Sequence, residues 1–516
     1  MIRVKACIRF IACLGIAVLS RPTLGQSFAG VLTWHNDNAR TGQNQQETIL
    51  TTANVNSKSF GKLFSDPIQG QGYAQPLYVP GVSIPGQGTH NVVYVATEHD
   101  QVYAFDADTV GQPLWQVSFI DPSKGITTVS TQNSHCLSLK PEVGITATPV
   151  IDAVSGTLYV TAETDENGTV VQRLHALDIT TGAEKFSGPV VLQASVNGVA
   201  FDPTEIQRTG LLLENGNVYL AHAYLCDPHP YHGWVIGYSA QNLQQQTAVF
   251  LTTPNGNKGG VWQSGGGLAS DGKSIYFMDG DGTFDAQMGG IDYGMSMLRM
   301  SATGVGLTVA DYFTPFDWAQ RSAKDLDLGS GGVLLLPTQN GAHPDEIIGA
   351  DKSGDIFVVD RRHMGKFHPK TNDVVQQVQG SPSGYWSSPA YWQQNIYYAG
   401  SQDYLSMYSI TNGLLSTSPI SKSANKFKSP GSTPSVSSNG ANNGIVWALE
   451  SHPASTAAVL YAYDATNLST ELYNSNQAAK KRDVPGPGTK FSVPTIANGK
   501  VYIATQTELD VYGPLQ

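Results

Sequence analysis

The chain has 516 residues, of which 40% are hydrophobic and 14% charged, and a formal net charge of −11. That acidity excludes nucleic acid as a partner, because backbone recognition needs concentrated positive charge to replace condensed counterions, and it disfavours anionic lipid surfaces. The basic clusters Arg361-Arg362 and Lys480-Lys481-Arg482 are short and read as solvated loop residues.

Residues 1–25 are predicted to be a secretory signal peptide. Arg3, Lys5 and Arg9 precede an apolar run from Phe10 to Leu19 that is too short to span a bilayer, and Gly25 supplies the small residue that cleavage requires. The mature chain is then secreted or periplasmic, without a transmembrane anchor. Cleavage removes Arg3, Lys5, Arg9 and Arg21, making the chain more acidic still, and leaves Cys136 and Cys226. An oxidising compartment predicts a disulfide between them, but two cysteines cannot scaffold so long a chain; a large apolar core must.

Residues 26–60 read as an N-terminal extension, and residues 61–516 as one repeating domain. Its unit is an apolar strand ending in Tyr-Val-Ala or a similar triplet, a Gly- or Asp-containing turn, and a second strand, as in Asn91 to Val117. Eight copies place equivalent residues at Tyr103, His175, Ile236, Leu298, Phe357, Met407, Tyr461 and Val511. Ahead of each lies a segment rich in small residues or proline: 74–79, 146–151, 209–213, 264–269, 330–336, 387–391, 432–436 and 492–496. Small residues allow strands to crowd around an axis, and proline at a strand's start spares the ladder. Helical periods between these runs are largely missing, so the chain is predicted to be an all-β, eight-bladed β-propeller of four-stranded blades. The eighth unit lacks an outer strand after Tyr512; Gly61–Ser65 is predicted to supply it and close the ring. Residues 121–145, 254–267, 281–296 and 311–329 are expected to be long rim loops where ligands meet the fold, and 420–442 a loop between blades.

The segments Ala104-Phe105-Asp106-Ala107-Asp108-Thr109 with Gly111 and Leu114-Trp115, and Ala176-Leu177-Asp178-Ile179-Thr180-Thr181-Gly182, resemble the pyrroloquinoline-quinone-type propeller repeat of the quinoprotein alcohol dehydrogenase superfamily. The segment from Trp34 to Gly42 is similar to the entry segment before many such repeats. Within the motif, Trp115 is expected to pack over a neighbouring blade and the Asp-x-x-Thr-Gly stretch to form a tight turn. The resemblance implies a planar quinone stacked on a tryptophan beneath an adjacent-cysteine disulfide, with calcium and a catalytic aspartate nearby. Here no two cysteines are adjacent, and the mature sequence has no Cys-x-x-Cys-His haem-attachment motif. The same repeat also occurs in noncatalytic binding propellers.

Five residues are candidates for a site. Asp325 and Asp327 put two carboxylates on one strand face or around one turn, as metal ligands, a polar rim or substrate contacts. Trp262 and Trp386, each ahead of an inner strand, offer flat faces for a quinone, sugar or aromatic ligand, or else pack between blades. Gln263 is positioned to orient a polar group beside Trp262. His222, His229 and His232 near Cys226 make no persuasive zinc site, and Asp281 and Asp285 are calcium-type donors that lack the complete twelve-residue loop pattern, so that Gly-rich turn chemistry is the safer reading. No catalytic residue is assignable. The leading reading is a noncatalytic module binding an envelope or extracellular protein, a glycan or a small ligand. The alternative is an oxidoreductase dependent on pyrroloquinoline quinone (PQQ) and calcium, acting on an alcohol or sugar.

Overall fold

The computed structural model describes residues 28, 30–131, 139–224, 226, 230–301, 306–452 and 456–515. Eight sheets, each with four antiparallel strands at its heart, form the predicted propeller. Blade 1 runs Leu77–Ile84, Gly88–Thr97, Gln101–Asp106 and Trp115–Ser118 in spatial as in chain order. The eight small-residue segments become the first strands, and the eight central residues from Tyr103 to Val511 all lie in third strands. Middle strands read as continuous apolar runs rather than alternating ones: Val92 to Thr97 is buried at every position, because each blade is covered by a neighbour on both faces.

The repeat's tyrosines explain the stacking. In four blades the second-strand tyrosine hydroxyl donates to a carbonyl just past the next blade's third strand: Tyr94 to Ile179 (2.9 Å), Tyr159 to Ala240 (2.7 Å), Tyr397 to Ala465 (2.7 Å) and Tyr502 to Ala107 (3.2 Å). Trp115 packs across the blade 1–blade 2 boundary as its motif predicts, its indole N–H also donating to Ile179 O at 2.9 Å. A Cβ on Gly182 would lie 2.8 Å from that indole, so the turn needs glycine.

Ring closure follows the sequence expectation. Phe60–Pro67 pairs antiparallel with Glu508–Pro514 as the outer strand of blade 8, joining the two ends of the chain. Phe60 is the latch, with its ring 5.4 Å from Trp447, 5.0 Å from Tyr473 and 6.4 Å from Tyr512. Phe60→Ala should cost about 3–5 kcal/mol in a urea melt by leaving a cavity at the seam. A loss below about 1 kcal/mol would show that the seam collapses around the smaller side chain.

Ahead of that strand, residues 31–44 cross the narrow end of the axis and bond to the first strand of every blade. Val31 exchanges backbone bonds with Tyr78, and Leu32, Asn38, Ala39, Thr41 and Gly42 accept from the amides of Ile151, Ser270, Leu335, Tyr391 and Val436. The Asn38 side chain donates to Leu213 O, and that of Asn44 to Ile496 O. Those eight partners occupy one register position of the repeat, so the segment is a plug built on the eightfold pattern. Just inside it the axis is too tight for side chains; a Cβ on Gly332 would meet Ser388 Oγ at 2.2 Å.

Two expected loops are strands instead. Within 420–442, Ser421–Phe427 is the outer strand of blade 6 and Ser435–Asn439 the first strand of blade 7. The former, Ser-Lys-Ser-Ala-Asn-Lys-Phe, is so polar because it is an edge, where lysines discourage pairing with another chain. Within 121–145, Ile126–Ser130 and Glu142–Val143 form a hairpin that adds to blade 2. It carries Val129, Leu139 and Val143 onto Tyr73 and Ile206 as a small satellite core. Residues 311–329 hold the end of strand Thr308–Thr314 and the short helix Trp318–Ala323. No helix among the described residues is long and apolar enough to cross a membrane.

Candidate functional site

Two repeat positions build a cavity at the end of the axis opposite the plug. Five residues upstream of the plug-bonded position stand Tyr73 in blade 1, Arg208 in blade 3, Trp386 in blade 6 and Phe491 in blade 8. The second position lies just past the second strand and gives Ala223, Gly280 and Lys352 in blades 3, 4 and 5. Ala and Gly leave space there, and Lys352 reaches into it. The cavity measures about 490 Å³, within the range of small-molecule sites.

Of the five sequence candidates, Trp262, Trp386, Asp325 and Asp327 line this one cavity. Gln263 does not. It is fully buried, its Nε2 donating to Gly266 O (3.0 Å) and its Oε1 accepting the Met278 amide (3.0 Å). The reason is local: Gln263, Ser264 and Gly265 all have positive φ (47°, 50° and 92°), a reversal that turns the amide away from Trp262's side.

One wall is aromatic and cationic. The Arg208 guanidinium sits among the rings of Phe491 (5.3 Å), Tyr73 (5.7 Å) and Trp262 (5.8 Å), with Trp262 and Phe491 edge to face. Its Nη2 donates to Ser264 O at 3.0 Å, its Nε has no partner, and no carboxylate pairs with it among the described residues. Lys490 lies beside it, equally without a carboxylate partner among the described residues; burial and the Arg208 charge lower its pKa. The three rings fix a cation that faces the cavity with unmet demand for an anion.

The other wall is acidic. Asp281, Asp325 and Asp327 each place an oxygen within 4.8 Å of the others. Asp327 Oδ1 accepts the Asp281 amide at 2.8 Å, and the Lys352 ammonium binds both Asp327 and Asp325, the latter at 2.7 Å. Asp281 pairs with Lys258 at 2.5 Å. Burial and the neighbouring Asp327 push Asp281 up to about 6 against the pull of Lys258. Burial also acts on Asp327, but Lys352 outweighs it and holds that carboxyl below its ordinary value. In the sequence Asp281 reads as turn chemistry because it stands in Asp279-Gly280-Asp281-Gly282 without a complete calcium-binding loop. Asp285 is a turn residue, accepting the Asp292 amide at 2.9 Å.

Among the described residues, His222 and His232 enter no group of potential metal ligands. His222 is buried and bonded to Gln172 Oε1 at 3.0 Å, His232 lies 3.1 Å from Thr253 O, and His229 falls outside the described residues. Cys226 lines the cavity, while Cys136, its expected partner, falls outside them.

No protein-family model matches the sequence, and no curated protein matches it. Solved structures do. Quinohemoprotein alcohol dehydrogenase from Comamonas testosteroni aligns over 94% of this chain and 80% of its own, at 14% identity and a TM-score of 0.61. A europium-containing methanol dehydrogenase aligns over 94% and 98% (13% identity, TM-score 0.57), and BamB from Moraxella catarrhalis over 88% and 99% (10% identity, TM-score 0.51). At such identities the likeness is one of fold, and by fold this chain is an eight-bladed propeller of the kind found in quinohemoprotein and methanol dehydrogenases.

Proposed function

We propose that the chain is a secreted or periplasmic oxidoreductase that holds pyrroloquinoline quinone with calcium in the central cavity and oxidises an alcohol or sugar. The observation that carries this is the pairing, across one cavity, of an aromatic wall with unmet cations and a cluster of three carboxylates. A planar quinone bearing carboxylates fits the first: Trp262 offers a face, and Arg208 and Lys490 offer charge. A hard divalent cation fits the second, since Asp281, Asp325 and Asp327 are all oxygen donors. When bound, the quinone supplies a two-electron acceptor. Asp325, whose side chain is 64% exposed and tied to Lys352, is the carboxylate placed to hold a proton from a substrate hydroxyl. Lys352 and Lys258 orient the cluster through their ion pairs with Asp325, Asp327 and Asp281. The dehydrogenase folds named above support this reading over a binding module.

The binding-only reading rests on a different observation: the two lysines already neutralise most of the acidic wall, and no adjacent-cysteine pair caps a quinone. Calorimetric titration of the mature protein with PQQ, with calcium and with chelator, separates the two. Saturable binding near one per chain that weakens at least tenfold on chelation, or in Asp327→Asn, is expected. Undetectable binding at high micromolar quinone would overturn the proposal and direct the search to glycans and envelope proteins. A Cys136–Cys226 disulfide beside the cavity belongs to the same proposal.

A further inference from the structure

Blades 1 and 2 break the pattern that opens the cavity. At the repeat position where blades 3, 4 and 5 carry Ala223, Gly280 and Lys352, they carry Glu98 and Glu163. Both are buried, as is Asp100 beside them, and among the described residues no lysine or arginine forms a salt bridge with any of the three. The hairpin inserted into blade 2 seals them in. Its end supplies the Gly144 amide and, two residues on, the Thr146 hydroxyl to Glu98 Oε2, at 2.8 and 3.0 Å. A Cβ on Gly144 would lie 2.8 Å from Asp100 Oδ1. Glu163 accepts from Gln172 Nε2 at 3.2 Å. Glu98 Oε1 and both Asp100 oxygens have no hydrogen-bond partner among the described residues.

The cation that acts on Glu98 is Arg208. Its Nη1 lies 3.4 Å from the carbonyl of Thr146, the residue whose hydroxyl binds Glu98. Glu98 and Arg208 therefore share one support while Arg208 faces the cavity.

We propose that Glu98, with Asp100 and Glu163 behind it, is a proton-operated switch on the cavity's anion site. Protonated, the three acids leave Arg208 and Lys490 free to hold a carboxylate ligand; ionised, they neutralise that wall and release it. The switch rests on reading the cavity as an anion site and adds its regulation. Burial, aided by Glu142, raises Glu98 to about 7 against Arg208, and burial with Glu98 and Asp202 raises Glu163 to about 8. Burial, Glu98 and Glu163 hold Asp100 well above its ordinary range. The other charged or titratable groups facing them are Glu142, paired with His99 at 3.0 Å, then Tyr73, Tyr224, Asp202, and Glu205 and His222 beyond Gln172.

The test titrates the mature protein with terephthalate, a planar dianion ionised across the range used, following tryptophan fluorescence from pH 6 to pH 8.5. Kd is expected to rise about tenfold, the effect of one nearby charge in a partly shielded site. Glu98→Gln should abolish the rise and keep the tight value at pH 8.5, and Arg208→Gln should abolish binding at every pH. If Glu98→Gln fails to fold, Glu163→Gln should shift the midpoint downward, because removing a like-charged neighbour lets the remaining acids ionise at lower pH. A wild-type Kd independent of pH, an unchanged rise in Glu98→Gln, or no terephthalate binding at any pH overturns the switch. A pH step with terephthalate but no binding of PQQ sinks the cofactor reading alone; PQQ bound with no pH step in either ligand sinks the switch alone.

Discussion

Arg40→Ala is expected to destabilise the protein by about 3–5 kcal/mol or to prevent folding, although residue 40 lies outside the strands of the ring. Its guanidinium is fully buried in the plug. It donates to Leu268 O through Nε (2.8 Å) and Nη2 (2.6 Å), and to Thr33 Oγ1 and Trp34 O through Nη1, both at 2.8 Å. One side chain thus ties the plug to itself and to blade 4. Truncation leaves those carbonyls dry and unpaired, which costs more than the hydrogen bonds themselves contribute. Arg40→Lys keeps the charge but cannot reproduce the fork, so it should lie between. Urea melts of the three proteins decide this; an Arg40→Ala midpoint and slope equal to wild type would mean that the ring stands without its plug.

Stability is expected to fall as pH rises from about 6.5 to 8.5. Burial raises Glu98 and Asp510 to about 7, and Glu163, Glu205 and Glu346 to about 8. Their unfolded counterparts ionise in the ordinary carboxylate range, so between that range and about pH 8 the folded state binds more protons. Stability from these groups is therefore complete below the ordinary range and is lost as pH climbs through 7 to 8. Buried His35 and His222 act oppositely, lowered by burial to about 4 and about 3. They contribute stability above pH 6.5 that is lost as pH falls toward 4. Of these groups only the acids change above 6.5, each unit being worth about 1.4 kcal/mol before water penetration is discounted. Scanning calorimetry should show Tm several degrees lower at pH 8.5 than at 6.5, and a flat or rising Tm would show that these carboxyls are ionised in the native state.

The architecture was legible because a propeller repeats its physics. Eight small-residue first strands, the continuous apolar runs of the second strands and the missing outer strand after Tyr512 each forced a structural consequence, and closure by Gly61–Ser65 follows from the last. Ser421–Phe427 escaped as a strand because an outer edge is patterned for solvent and resembles a loop. The plug was visible only as a motif, Trp34 to Gly42, with nothing to show that it bonds to eight blades.

The site was half legible. Trp262, Trp386, Asp325 and Asp327 stand out as residue types unusual beside Gly- and Ser-rich turns, and they do meet. Arg208, Lys490 and Lys352 did not, since each comes from a different blade and looks like an ordinary surface charge in its own segment, while Asp281 stood out only as part of an incomplete calcium-type turn. Sequence by itself determined the ring, because strand period and repeat length are local properties that every blade restates. Only the tertiary structure decided which charges are buried and which of them lack a partner, because radial closure brings together residues hundreds of positions apart and removes their water.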